Sequence, residues 1–199
     1  MQDYSALILR AQASKAEVIA LNTTGDNSVA LVKQANEFGV VAGGQKLAAL
    51  SINIQDVHAL GLEQAKGLKM ASPIHHKMND ATRAWTGRFL KYSDNLVPTL
   101  IEAGVYSGVT HYLKAVRAAG KTDGETVMAK MRSVPINDFQ MKNVLRRADG
   151  QMMRPMYLME VKSPAKSKAP WDYYKVVRNV PAEEAWCPAA GSKCPLLKE

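Results

Sequence analysis

The sequence predicts an α/β fold with a mostly parallel sheet. Short apolar segments at 17–21, 46–52 and 67–72 have the length and content of strands. Amphipathic segments at 4–14, 27–38 and 56–65 intervene with helical spacing. Polar, Gly- and Pro-containing stretches punctuate them. Strands separated by helices argue for a parallel sheet covered on both sides.

The elements follow in order. Helix 4–14 places Leu7 and Ala11 on one face, with Ile8 beside them. Strand 17–21 is a short apolar run, as expected for a strand covered on both faces. Asp26 caps the next helix through its side-chain oxygen. Leu31, Ala35 and Phe38 form a stripe on that helix, and Gly39 supplies its C′ residue. Gly43-Gly44 makes a loop before strand 46–52. Asp56 caps a short helix reaching Ala65, and strand 67–72 is stopped by Pro73. The run starts on a helix, as if a preceding strand had been cut off.

A helical block follows, with no strand between Ser72 and about Asn143. Asn79 or Asp80 caps a helix carrying Trp85, Phe89 and Tyr92. A longer helix puts Ile101, Val105, Val109, Leu113 and Val116 on one face and ends at Gly120. Asp123 opens a third helix to about Ser133. Ala148-Asp149-Gly150 is a hairpin-type turn. Strands are expected at 156–161 and 172–177, joined by a Lys/Ser/Pro loop at 163–170, and the tail from Pro181 is irregular.

Composition excludes several classes. Hydrophobic residues make up 47% and charged residues 22%, an ordinary globular balance. No run approaches the roughly 18 apolar residues of a membrane helix. Met1 is followed directly by a polar, helix-forming stretch, so no signal peptide is expected here. The net charge of +8 raises nucleic acid as a partner. Apart from Arg146-Arg147 and the lysines of 162–168, however, the basic residues are scattered, and a solvated surface is the better reading. Nucleic acid is therefore not an expected partner.

No G-x-S-x-G elbow or H-E-x-x-H pair is present. Gly43-Gly44-Gln45-Lys46 fails as a phosphate loop because Leu47 stands where Ser or Thr is needed. His75-His76 are adjacent, point in different directions, and read as exposed loop histidines rather than metal ligands. His58 and His111 read as satisfied or exposed helix histidines. Met152, Met153, Met156 and Met159 surround a strand, where Met fills core gaps. Cys187 and Cys194 have six residues between them in the tail, with no histidine near them. That spacing admits a small disulfide in an oxidising compartment or two free thiols. No metal, cofactor or catalytic residue is expected.

The best site candidate is the turn Asn22-Thr23-Thr24-Gly25-Asp26. It follows a strand and precedes a helix N-terminus, where backbone N–H groups can hold a carboxylate. Ser51 and Asn53, at the end of the next strand, lie beside it in a parallel sheet.

Several longer runs carry a resemblance. They are DYSALILRAQASKAEVIALNTTGDNSVALVKQANEFGV at 3–40, IQDVHALGLEQAKGL at 54–68, NDATRAWTGRF at 79–89 and EAGVYSGVTHYLKAVRAAG at 102–120. VMAKMRSVPINDF at 127–139, ADGQMMRPMYLMEVKSPAKSK at 148–168, PWDYYKVV at 170–177 and the ending GSKCPLLKE continue the series. In number and order they resemble the C-terminal half of the periplasmic solute-binding proteins of ABC importers, of the branched-chain amino acid (Leu/Ile/Val) class.

The resemblance implies a three-layer, Rossmann-like periplasmic-binding-protein lobe with a mostly parallel sheet, plus helices from the second lobe. Residues 1–73 and 154–180 would be lobe two, lacking its first strand and helix. Residues 74–153 would be the helical part of lobe one, and 181–199 a tail. The missing N-terminal half would carry the signal peptide. The implied function is non-enzymatic: solute binding in the periplasm by two-lobe closure, delivering to a membrane permease. Without its other lobe the chain is expected to bind ligand weakly or not at all, and to expose apolar surface through which it dimerises. Ligand contacts carried over to this chain are Thr23, Thr24, Gly25, Asp26, Leu50, Ser51 and Asn53, with Ile101 and Tyr106 near the crossing into lobe one. Amino acid binders of this class offer an acidic group and a turn aromatic. Here threonines and Leu50-Ser51 stand instead, which fits an organic or aromatic acid at least as well as a branched-chain amino acid. The same fold also serves as the sensory part of receptors and repressors, the alternative reading.

Overall fold

Helix α1 (Ser5–Ala13) leads into strand β1 (Val18–Leu21), helix α2 (Asp26–Glu37) and strand β2 (Lys46–Ala49). Helices α3 (Ile54–Leu60) and α4 (Leu62–Ala65), separated at Gly61 with φ 76°, connect to strand β3 (Lys69–Ser72). These elements come from a computed structural model, which describes residues 2–190 and 192–197. The chain forms two compact units, one of residues 1–72 and 157–179, the other of residues 73–156 and 180–199.

In the first unit β1 pairs parallel with β2, Leu21 opposite Ala49, and β2 pairs parallel with β3, Ala49 opposite Met70. Strand β4 (Met156–Val161) returns antiparallel to β3, Ser72 opposite Tyr157, and strand β5 (Tyr174–Val180) lies beside it. The parallel β1–β3 arrangement is the one expected from alternating strands and helices. Leu21, Leu47, Ala49, Met70, Met159 and Val161 bury against Val32 and Ala35 of α2 and Val57 and Leu60 of α3. On the opposite sheet face, Lys69 pairs with Glu160, and that contact holds the Glu160 carboxyl below its ordinary range.

The expectation that the first strand is covered on both faces is corrected. Val18 and Ala20 are exposed while Leu21 is buried, and β1 is the outermost strand. Its continuous apolar character looks like two-sided burial, yet only its Ile19 and Leu21 face meets helices among the described residues. Strands β1, β2 and β3 are shorter than expected, with β2 ending at Ala49 and a single further bond from the Leu50 N–H continuing its pairing to β1.

Two caps differ from expectation. Gly25, not Asp26, is the N-cap of α2; no side chain caps it, and Asp26 is the first helical residue. Asn53, not Asp56, is the N-cap of α3, and the Asp56 carboxylate accepts the Asn53 N–H at 2.8 Å from the third helical position. Both carboxylates still lie at the positive end of a helix, where they are favoured.

The second unit holds α5 (Asp80–Phe89), α6 (Leu100–Ala119) and α7 (Gly124–Ser133), as the helical block predicts. Asn79 caps α5 by accepting the Thr82 N–H at 2.9 Å, and Asp123 caps α7 by accepting the Thr126 N–H at 2.9 Å. At α6, Thr99 and Glu102 form a capping box, and Gly120 ends the helix in the left-handed conformation. Trp85 stacks on Phe139 at 4.0 Å and 7°, next to Ile74 and Ala103. Residues 148–150 make the expected tight turn, with Arg147 N–H donating to the Gln151 carbonyl and Arg147 paired to Asp149. The tail carries the single-turn helix α8 (Ala182–Ala185), and the Trp186 indole donates to the Arg154 carbonyl at 2.6 Å.

The apolar stripe of α6 is not its buried face. Ile101, Val105, Val109 and Leu113 are exposed, while Ala103, Ser107, His111 and Ala115 are buried. The buried stripe of small and polar residues admits close approach, and its polar members are paired: Ser107 to Asp138 and His111 Nε2 to the Met131 carbonyl. His76 also departs from its reading as an exposed loop residue. It is 7% exposed, and burial depresses the pKa of neighbouring His75.

Candidate functional site

Parallel pairing places the C-terminal ends of β1 and β2 side by side. The last rung, Leu50 N–H to the Leu21 carbonyl at 3.0 Å, holds the turn at residues 22–26 against residues 50–53. Thr23, Thr24, Gly25, Asp26, Leu50, Ser51 and Asn53 are thereby brought to one sheet end, as the strand-end reading expects.

The turn is shaped by Gly25, with φ 59° and ψ −137°. Its carbonyl accepts the first helical bonds, from Ser28 at 2.9 Å and Val29 at 3.1 Å. The amides of the residues just ahead of these are not used by the helix and point out of its N-terminus. Thr23 Oγ1 lies 2.9 Å from Ser28 Oγ, which fixes the threonine rotamer. Ser28 is a contributor the sequence reading missed; its signal was a small hydroxyl two residues beyond Asp26. At the second strand end, Leu50 is 62% exposed and Ser51 is exposed, whereas Asn53 spends its N–H on Asp56. The wall therefore offers hydroxyls, helix-end amides and an exposed leucine, with Asp26 as its carboxylate.

Below this wall, Tyr174 packs against the core with its hydroxyl buried and unpartnered. Burial, joined by the charge of Asp56, raises its pKa far above the ordinary phenol value. Further along α3, His58 stacks on Trp171 at 4.4 Å, and its Nδ1 lies 2.7 Å from the Tyr173 hydroxyl.

Ile101 and Tyr106 belong to the other unit. They line an apolar groove of about 730 Å³ with Trp85, Phe89, Tyr92 and Val109. Cys187 is exposed and Cys194 half-buried, both as thiols. Among the described residues no group of three or more His, Cys, Asp or Glu is placed to hold a metal ion, and no helix is long and apolar enough to cross a membrane.

The family model described as periplasmic binding protein matches residues 1–168. The chain belongs to the periplasmic binding protein family. Among solved structures, a periplasmic binding protein from Burkholderia mallei is 44% identical, with a TM-score of 0.92 over 100% of this chain and 52% of that one. A branched chain amino acid ABC transporter periplasmic ligand-binding protein from Burkholderia xenovorans LB400 is 35% identical, with a TM-score of 0.85 over 100% and 53%. A solute binding protein of an ABC transporter from Rhodopseudomonas palustris BisB5, in complex with 3,4-dihydroxy benzoic acid, shares the fold at 16% identity and a TM-score of 0.75, over 90% and 49%. A comparison with curated proteins found no match. The chain thus spans about half the length of these family members.

Proposed function

We propose that this chain supplies one wall of the ligand cleft of a periplasmic solute-binding protein that serves an ABC importer. The carrying observation is the juxtaposition of the Thr23–Asp26 turn and the Leu50–Asn53 strand end at one end of the parallel sheet. Helix-end amides and threonine hydroxyls suit a ligand carboxylate, and Leu50 suits an apolar or ring portion. Candidates are therefore a branched-chain amino acid or a small aromatic acid, held without chemistry. Delivery would be to a membrane permease in the periplasm. The Burkholderia xenovorans protein is described as the ligand-binding protein of a branched chain amino acid transporter, and the Rhodopseudomonas palustris protein is in complex with 3,4-dihydroxy benzoic acid, which supports these two classes.

The test is an amide-shift titration of the 199-residue chain with L-leucine, L-isoleucine and 3,4-dihydroxybenzoate. One wall alone should bind at about millimolar strength, at roughly −4 kcal/mol. Shifts should concentrate at Thr23–Asn27 and Ser51 and vanish in Thr23→Val/Ser51→Ala. Micromolar binding, or shifts confined to residues outside these turns, would overturn the proposal.

A further inference from the structure

A cavity of about 190 Å³ lies in the first unit at the sheet end opposite the ligand wall. It reaches Lys46 and Lys69, the first residues of β2 and β3, whereas the wall follows the last residues of β1 and β2. Val32, Leu47 and Leu68, all part of the buried core, supply its apolar lining. Lys46, Lys66 and Lys69 line it as well, against one lining carboxylate, Glu160.

These three cations are unequally engaged. Lys69 pairs with Glu160, and Lys66 pairs with Glu63 at 2.9 Å. Lys175 and Lys166 also act on the Glu160 carboxylate, behind Lys69. Lys46 donates its backbone N–H to the Glu17 carbonyl, but among the described residues no carboxylate takes its ammonium. Lysines at this end of an α/β unit ordinarily serve the last carbonyls of the helices. Here those acceptors are occupied from within the chain. The Gln34, Ala35 and Asn36 carbonyls of α2 accept from Phe38, Val40 and Gly39, and the Phe38 carbonyl accepts from the Gln12 amide. At α4 the Gln64 carbonyl accepts from the Asn36 amide at 2.7 Å, and the Ala65 carbonyl from the Leu68 N–H.

We propose that this cavity binds a small organic monocarboxylate, its carboxylate on the Lys46 ammonium and its hydrocarbon portion against Val32, Leu47 and Leu68. Pockets that hold small molecules combine an apolar lining with a few placed polar groups, and an unmatched ammonium selects an anion. A bare inorganic anion leaves the apolar lining uncovered, and a neutral molecule leaves Lys46 unmatched. The site is separate from the Thr23–Asp26 and Leu50–Asn53 wall and does not rest on the function proposed for it.

The test titrates the isotope-labelled 199-residue chain with sodium acetate, butyrate and hexanoate at constant ionic strength, with inorganic phosphate and butyramide in parallel. Amide shifts should appear at Gln45–Leu47 and Gly67–Lys69 and saturate, for butyrate in about the millimolar range. Each added methylene should tighten binding about two- to fourfold. Lys46→Gln should weaken hexanoate binding by about fivefold or more. Val41 is exposed at the cavity, so Val41→Asp should weaken it similarly by setting a carboxylate there. Circular dichroism of each variant checks that its fold persists. Phosphate or butyramide shifting the same amides as strongly as butyrate would overturn the inference. So would affinity indifferent to chain length or to both substitutions, or shifts confined to residues 23–27 and 51.

Discussion

Replacing Gly25 by alanine isolates the backbone geometry on which the candidate wall depends. At φ 59° and ψ −137° this residue occupies a region that L-residues seldom adopt. An added Cβ would meet no atom within 4 Å, so no steric clash contributes. The cost is then conformational, about 1–3 kcal/mol for forcing a side-chain-bearing residue into such a region. Reduced freedom of the unfolded chain returns about 0.4–1 kcal/mol. The net expectation is a destabilisation of about 1–2 kcal/mol, or relaxation of the turn away from the Ser28 hydroxyl. Urea unfolding followed by circular dichroism measures the first, and the Thr23 and Ser28 amide shifts report the second. Thr24→Ala, at a neighbouring exposed position, should stay within about 0.5 kcal/mol of the parent. A Gly25→Ala protein as stable as the parent, with unmoved shifts, would refute the claim that positive φ holds the turn in shape.

Three further outcomes are expected. Trp85→Ala removes the ring stacked on Phe139 and should cost about 3–5 kcal/mol in urea unfolding of the second unit; a loss under 1 kcal/mol would contradict its core role. Burial pulls the Glu102 carboxyl upward, but its hydrogen bonds from Thr99 prevail and hold it below the ordinary 4.5, so its stabilisation is present above pH 4.5 and lost as pH falls through the folded value. Glu102→Gln should therefore flatten the acid limb of the stability profile, and an unchanged limb would refute the cap's contribution. Arg147 donates to the Cys187 carbonyl at 2.8 Å, and Cys187 and Cys194 stand in the tail as thiols with six residues between them; oxidation by a small disulfide should join them, visible by peptide mass mapping. Closing a loop of roughly eight residues should add about 2.5 kcal/mol to the stability of the structure that depends on it, and mapping that finds only free thiols after oxidation would contradict the pairing.

Local chemistry carried most of the elements. Apolar runs of strand length, helical spacing, and the Asn79 and Asp123 caps are written in neighbouring residues, which is why β4 matched its expected span. The turn at residues 22–26 was legible for the same reason: a polar Gly-containing stretch stands between a strand and a helix. The cap of α2 was misread because Asp26 and Gly25 are both acceptable N-cap residues, and backbone torsion, not side-chain type, decides which residue begins the helix. Nothing local distinguishes Ala103, Ser107, His111 and Ala115 from a solvent face. They became the buried stripe because α7 and the 136–138 segment approach closely there and take up the Ser107 hydroxyl and His111 Nε2.

By itself the sequence determined the α/β class, the parallel order of strands and helices, the turn at residues 22–26 and the family resemblance, all of which follow from short-range pattern and residue type. Only the tertiary structure decided which side of β1 and which stripe of α6 is buried, and that Leu50 and Ser51 stand beside Thr23 and Gly25. Burial depends on what else occupies the space around a segment, and strand register joins residues nearly thirty positions apart. Neither quantity is contained in a local window of the chain.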